Sequence, residues 1–248
     1  MIFSKVLILS FIIWAAGEYQ YPKTNSFEGS HHCIHYSEID SFSNILGVNS
    51  VVIGAYESGF DAAINLAKLG KKVTLVDNSN YLELVKSDSS YSLSPFTRDR
   101  LKENIDDFEY FEETRVKEVK FLNSKFIVKT DKEDVFVSDD VPINCTGFDT
   151  SLKLVNGLFN FDEGYPVLTN LDESKKTKNL FLVGPQVKHG NALFCFIYKY
   201  RQRFAIVAEE IAMRNGISHE KIDEVLKEYI NNNFYLTDLS CCDDECVC

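Results

Sequence analysis

The stretch VVIGAYESGFDAAINLAKLGKKVTLVD, Val51 to Asp77, decides the fold. Val51-Val52-Ile53 is a β-branched run of the kind a parallel sheet buries on both faces. Gly54 to Gly59 reads as a turn. Asp61 to Leu69 is predicted helical, with Ala62, Ala63, Leu66 and Ala67 set close against a sheet and Gly70 ending the helix. Val73 to Val76 is the next predicted strand, and Asp77 stands at its C-terminal end. Together these residues make one strand–helix–strand unit of about 30 residues. Each part of the turn has a physical job. Gly54 permits a sharp exit from the strand. The middle position lets backbone amides approach a pyrophosphate. Gly59 lets the helix pack on the strand, and the helix N-terminus offers unpaired N–H groups and a positive dipole end.

Gly54, Tyr56, Ser58, Gly59 and Asp77 are therefore candidate nucleotide contacts. Asp77 suits a ribose 2′-hydroxyl and disfavours a 2′-phosphate, which points to NADH rather than NADPH. Tyr56 occupies the place of the second glycine, with its ring either turned away or laid across the pyrophosphate path. The plainer readings are an ordinary strand–helix–strand crossover and a solvated strand-end carboxylate.

Outward from this unit, Tyr81 to Pro95 is polar and reads as a loop, and Thr97 to Asp107 as a short helix. Between Phe108 and Val137, charged and apolar residues alternate. RVKEVKF, KFIVKT after an Asn123-Ser124 turn, and DVFVSD read as an antiparallel meander with one wet face. VPINCTGF, Val141 to Phe148, is an apolar run ending in a small-residue turn, and it echoes IIWAAGEY, Ile12 to Tyr19. NLFLVGP, Asn179 to Pro185, is a third buried strand meeting a glycine. Leu193, Phe196, Ile197, Tyr200, Phe204, Val207, Ala208 and Ile211 keep one helical stripe that Gly216 stops. A second amphipathic helix follows Ser218. The fold class is α/β.

The chain has 248 residues, of which 45% are hydrophobic, and a net charge of -11. That is enough apolar material for a real core. The acidic balance, with no Lys/Arg cluster, argues against nucleic-acid binding. The opening MIFSKVLILSFIIWAAGEYQYP is open to two readings, a signal peptide or a buried strand over Phe11 to Ala15 running into a turn at Gly17. Its apolar run is too short for an ordinary spanning helix, so no membrane insertion is expected. Of seven Cys, three are scattered (Cys33, Cys145, Cys195) and four crowd the last residues, CCDDECVC. A secreted disulfide scaffold spreads its cysteines through the fold, so a cytoplasmic location is expected.

Cys241, Cys242, Cys246 and Cys248 could relay electrons as dithiols or bind a soft metal, or form a tail with no assigned job. Their spacing matches no standard zinc ring, and Asp243, Asp244 and Glu245 would raise their thiol pKa values. His31 and His32 beside Cys33 lack a fourth ligand, so no metal site is expected. His189 lies in a glycine-flanked loop after a strand end. Its readings are a proton relay, a flavin contact or a structural loop histidine. Arg201, Gln202 and Arg203 interrupt an apolar helix and are expected to pair with acids or carbonyls.

The segments IIWAAGEYQYP, HYSEIDSF, VVIGAYESGFDAAINLAKLGKKVTLVD, NCTGFD and NLFLVGPQVKHGNALFCF, in this order, resemble the two-dinucleotide flavoprotein superfamily. Its members include the pyridine nucleotide-disulfide oxidoreductases and flavin-containing monooxygenase-like enzymes. The resemblance implies a Rossmann-like NAD(P)-binding domain inserted in a partial FAD-binding domain of the same family. It runs from the end of the family's first flavin segment onward, without the glycine turn that holds the FAD diphosphate. It implies a remnant of that segment with the crossover at 1–47, the NAD(P)-binding domain at 48–141, a C-terminal FAD-domain segment at 142–232 and a Cys-rich tail at 233–248. Residue by residue, Gly54, Gly59 and Asp77 resemble the nicotinamide-dinucleotide site. Ala16-Gly17 and Thr146-Gly147 resemble the two crossings between the domains. Gly184 with the following Gln186, His189 and Asn191 resembles the segment that reaches the flavin. Pro185 stands where the family carries an aspartate, and the nicotinamide segment has no CxxC. The implied activity is hydride transfer from NAD(P)H to a flavin. The alternative is a non-catalytic nucleotide-binding fragment or partner subunit, with self-association or a second chain covering apolar surface.

Overall fold

A computed structural model describes residues 10–84, 86 and 90–239. Its strands are β1 (Ile12–Trp14), β2 (Ile34–His35), β3 (Asn49–Ile53), β4 (Lys72–Val76), β5 (Glu109–Phe111), β6 (Val116–Leu122), β7 (Lys125–Thr130), β8 (Val135–Ser138), β9 (Ile143–Asn144), β10 (Phe161–Asp162), β11 (Tyr165–Pro166), β12 (Leu180–Leu182), β13 (Lys188–His189) and β14 (Ala192–Leu193). The α-helices are α1 (Tyr56–Lys68), α2 (Pro95–Asn104), α3 (Ile197–Arg214) and α4 (His219–Asn231). The chain divides into two compact units, Tyr19–Asp149 and the pair of segments Met1–Glu18 and Thr150–Cys248. The first unit is thus wider at both ends than the segment 48–141 marked out above.

The unit Tyr19–Asp149 is built on a sheet of order β2-β9-β3-β4-β5, with every pair parallel. Parallel strands must be covered on both faces, and alternation along β3 does this. Val52 faces a cluster with Phe60, Ala63, Ile64 and Leu66 of α1 and Leu101 of α2. Val51 and Ile53 face Val116, Val119 and Val128 of the meander. The result is helices, parallel sheet and meander in three layers. β6, β7 and β8 pair antiparallel in order. Asn123 and Ser124 join β6 to β7 with both φ values positive, at 49° and 60°, as a two-residue hairpin of this twist requires.

Helix α1 starts at Tyr56, five positions before the expected Asp61. The glycine turn closes within Gly54 and Ala55, because the Asp77 carboxylate binds the Ala55 amide and frees the chain to coil at once. Helix α2 follows its cap chemistry. Ser94 Oγ accepts from Thr97 N at 3.2 Å and Pro95 opens the helix. A 3₁₀ turn then covers Ile105–Asp107, so the expected Thr97–Asp107 helix is displaced by two residues and ends early as an α-helix.

In the other unit, β1 pairs parallel with β12, Ile12 to Leu180 through Trp14 to Leu182. Ile12–Trp14 therefore takes the strand reading of the opening segment. Leu152, Phe159, Leu168, Val187 and Phe194 form the core beside β12. Leu193 does not join α3 as its stripe suggested. The Gly190-Asn191 turn folds Ala192–Leu193 back on Lys188–His189 as a hairpin, and the helix begins only at Ile197. Among the described residues, no helix is long and apolar enough to cross a membrane.

Candidate functional site: a cleft at the glycine turn

The glycine turn opens into a cleft of about 490 Å³ within the Tyr19–Asp149 unit. Its walls include Gly54, Tyr56, Asp77, Thr146 and Gly147, so five residues picked from the sequence meet at one place. It lies outside the C-terminal ends of β3, β4 and β9, where ligands of open parallel sheets bind. Its volume falls within the range of small-molecule sites.

The two glycines are explained by close backbone approach. A Cβ on Gly59 would stand 1.9 Å from the Gly54 carbonyl oxygen. At Gly54, φ is 93° and a Cβ would lie 2.7 Å from the Cys145 carbonyl oxygen. Gly59 thus seats α1 on β3, and Gly54 lets β3 and the turn pass against β9.

Tyr56 has φ 66°, the left-handed backbone that glycine adopts freely and tyrosine does not. The backbone course of the turn is kept although the residue type is not. The ring is half-buried. Its hydroxyl donates to Ser92 O at 3.0 Å, and it packs against Tyr81 with centroids 4.9 Å apart. The ring is tied towards the Tyr81–Ser92 side, and Tyr56 still forms part of the cleft wall. Ser58 follows in the first turn of α1 and is not part of that wall.

Asp77 is buried at the end of β4. Its Oδ1 accepts from Ala55 N at 2.9 Å and its Oδ2 from Ser79 N at 2.8 Å. Burial raises its pKa, and the amides of Ala55, Ser79 and Asn78 pull it the other way. A carboxylate offers about four acceptor sites, so two amides leave capacity for ribose hydroxyls. The plainer reading of a solvated strand-end carboxylate is overturned, since Asp77 is 7% exposed and stitches the turn to β4. Glu57 also carries charge in the first turn of α1, but its carboxylate caps α2. It accepts from Ser94 N at 2.6 Å and from Thr97 Oγ1.

Thr146-Gly147 is held from two sides. Thr146 Oγ1 bonds Asn144 Oδ1 at 2.8 Å and Ser26 Oγ at 2.6 Å. Buried His35 accepts from Ser37 N on Nδ1, which leaves Nε2–H to donate to the Gly147 carbonyl at 2.9 Å. This is the structural job of the HYSEIDSF stretch. Cys145 is buried, and desolvation raises its thiol pKa. Burial pushes Cys33 up to about 12. Neither is a thiolate nucleophile near neutral pH. Sequence reasoning missed Ser26, Phe27, Asn78, Tyr81, Thr114, Arg115 and Val116 as cleft residues. They come from loops and strand ends with no motif, and only tertiary proximity assembles them.

The remaining candidates lie in the other unit. Gly17 has φ 62° and Gly184 φ 115°, and an added Cβ at either meets nothing within 4 Å. Gln186 Nε2 donates to Glu18 Oε2 at 2.6 Å. Asn191 sits in the β13–β14 turn. His189 Nε2 pairs with Asp172 Oδ1 at 2.5 Å. Arg203 Nε and an Nη of Arg203 bind the same carboxylate, both at 3.0 Å. Arg203 also donates to the carbonyls of Leu236 and Asn170. The arginine in the apolar helix is thus paired with an acid and with carbonyls, as its sequence context suggested. Cys241, Cys242, Cys246 and Cys248 lie outside the described residues. Among the described residues, no group of His, Cys, Asp and Glu could hold a metal ion.

A glycine turn from a parallel strand into α1, a buried acid at the next strand end and a cleft between them share the layout of dinucleotide sites in open parallel sheets. The model of one family, described as pyridine nucleotide-disulphide oxidoreductase, matches residues 5–184. The chain belongs to this family. Solved structures share the fold. Bacillithiol disulfide reductase from Bacillus cereus is similar at TM-score 0.65 and 22% identity, over 82% of this chain and 62% of that one. An NAD-dependent persulfide reductase from A. fulgidus is similar at TM-score 0.62 and 16% identity, over 83% of this chain and 39% of that one. The water-forming NADH oxidase from Lactobacillus brevis, bound to NADH, is similar at TM-score 0.56 and 19% identity, over 72% and 40%. This family member spans less than two thirds of the length of each.

Proposed function

We propose that the chain binds NAD(P)H in the cleft at Gly54–Gly59, as the nucleotide-binding part of an NAD(P)H-dependent flavoprotein oxidoreductase. The convergence of Gly54, Tyr56, Asp77, Thr146 and Gly147 on one cleft carries the reading. The first-turn amides of α1 face a diphosphate, and Asp77 accepts from ribose hydroxyls, which favours NADH. Bound there, NAD(P)H is a hydride donor. The chain's own residues orient it. His35 and Asn144 hold the Thr146–Gly147 wall, and the Ala55–Asp77 bond holds the opposite turn.

FAD fits less well. Gly17 and Gly184 leave open space beside their backbones. Among the described residues, however, only α1 follows a strand through a glycine turn, so these residues offer a flavin diphosphate no second set of helix amides of that kind. The second reading, a nucleotide-binding module that works with another chain or a second copy, is favoured by that same observation.

The test is a fluorescence titration with NADH and an absorbance scan of the purified protein. Saturable but weak binding, a colourless solution and little turnover are expected. Gly54→Val should abolish binding in protein whose circular dichroism still shows a fold. Unchanged binding in this variant would discard the cleft, and a stoichiometric flavin spectrum would restore the complete enzyme.

A further inference from the structure

We propose that Arg115 is a specificity-determining residue of the cleft, the cation through which it accepts a phosphate on the adenosine ribose and so takes NADPH as well as NADH. The inference rests on the reading of the cleft as a nucleotide site.

Among the described residues, Arg115 is the one cationic residue in the cleft wall, and Asp77 the one carboxylate. Their backbones run close together. Thr114 N donates to the Asp77 carbonyl at 2.6 Å, and Arg115 follows directly. The backbone of Arg115 is pinned. Its amide donates to Asp131 Oδ1 at 2.9 Å, and its carbonyl accepts from Asp131 N, also at 2.9 Å. Its side chain is exposed and, among the described residues, has no partner.

The other described arginines are all engaged. Arg98 donates to the carbonyls of Leu93 and Leu84. Arg100 pairs with Asp61, Arg203 with Asp172 and Arg214 with Glu173. Arg201 lies over the Phe234 ring. Among the described residues, Arg115 is thus the one arginine with no hydrogen bond, ion pair or ring contact from its side chain, and it lies on the wall of the cleft.

The position selects the moiety. Asp77 marks the adenosine ribose end, and a guanidinium on the same cleft wall offers a planar fork that matches a phosphate. Asp77 opposes a 2′-phosphate less than a bare carboxylate would. Both its oxygens already accept backbone N–H groups. Arg115 supplies the counter-charge, while a 2′-hydroxyl needs only Asp77.

The experiment is a fluorescence titration of the full chain with NADH and with NADPH, for wild type, Arg115→Gln and Arg115→Lys. The exposed side chain makes the fold insensitive to either change, and circular dichroism checks this. Arg115→Gln should weaken NADPH about tenfold or more, the size of one charge-assisted contact. NADH should stay within about twofold, and Arg115→Lys should fall between. Equal loss of both coenzymes would place Arg115 on the adenine or the diphosphate and overturn the assignment. No loss of either, or a wild type that binds NADH and not NADPH, would also overturn it. A wild type that binds neither would overturn the nucleotide reading beneath it.

Discussion

Tyr56 carries a backbone conformation its residue type resists, and the sign of that resistance is measurable. Replacing it with Ala or with Gly removes the same interactions. They include the hydroxyl bond to Ser92 O, worth about 1 kcal/mol, the Tyr81 ring contact, worth roughly 0.5–1.5 kcal/mol, and about 1 kcal/mol of half-buried ring area. Both variants should therefore be less stable than wild type, with Tyr56→Ala down by about 3 kcal/mol. The difference between them isolates the backbone. In an ordinary helix Ala exceeds Gly by about 1 kcal/mol. At φ 66° the order inverts, because Ala keeps the left-handed penalty and Gly does not. Tyr56→Gly should be the more stable by roughly 1 kcal/mol, about a fivefold change in the opening equilibrium. Hydrogen exchange of peptides covering residues 51–69 reads this directly. Slower exchange in Tyr56→Ala than in Tyr56→Gly would refute the claim that Tyr56 stands in a glycine's conformation.

Arg203→Met leaves Asp172 buried with only His189 beside it, and should cost about 3–5 kcal/mol. Adding Asp172→Asn should recover much of this in urea unfolding, and no recovery would mean that the pair is not the anchor of α3. The Cys33 thiol is held at about 12 when folded against 9.0 for a free thiol. Its folded pKa is raised, so its contribution is complete below pH 9 and lost as the pH climbs towards 12. Alkaline unfolding should set in over that window and be blunted in Cys33→Val. Cys33 should also resist alkylation at pH 8 until the chain is unfolded.

The strand–helix–strand unit was legible because its determinants are local. β-branched strands, two glycines at fixed spacing, an Ala/Leu helix face and an acid at the strand end act over a few neighbouring residues. The meander was legible for the same reason, through alternation and an Asn-Ser turn. The start of α1 was not, because it depends on the Asp77 carboxylate reaching back 22 residues to the Ala55 amide. The end of the Leu193 stripe was hidden as well. A helical period and a two-residue hairpin compete there, and pairing with Lys188–His189 wins.

The sequence by itself determined the α/β class, the glycine turn, the acid at its strand end and the family resemblance, since each rests on residue type at short range. Tertiary structure alone decided which way Tyr56 leans, which charges remain unpaired, and that Arg115, Thr146 and Asp77 share one cleft. Those facts depend on the pairing of β9 beside β3 and of β5 beside β4, contacts between segments far apart in the chain whose register no local pattern records.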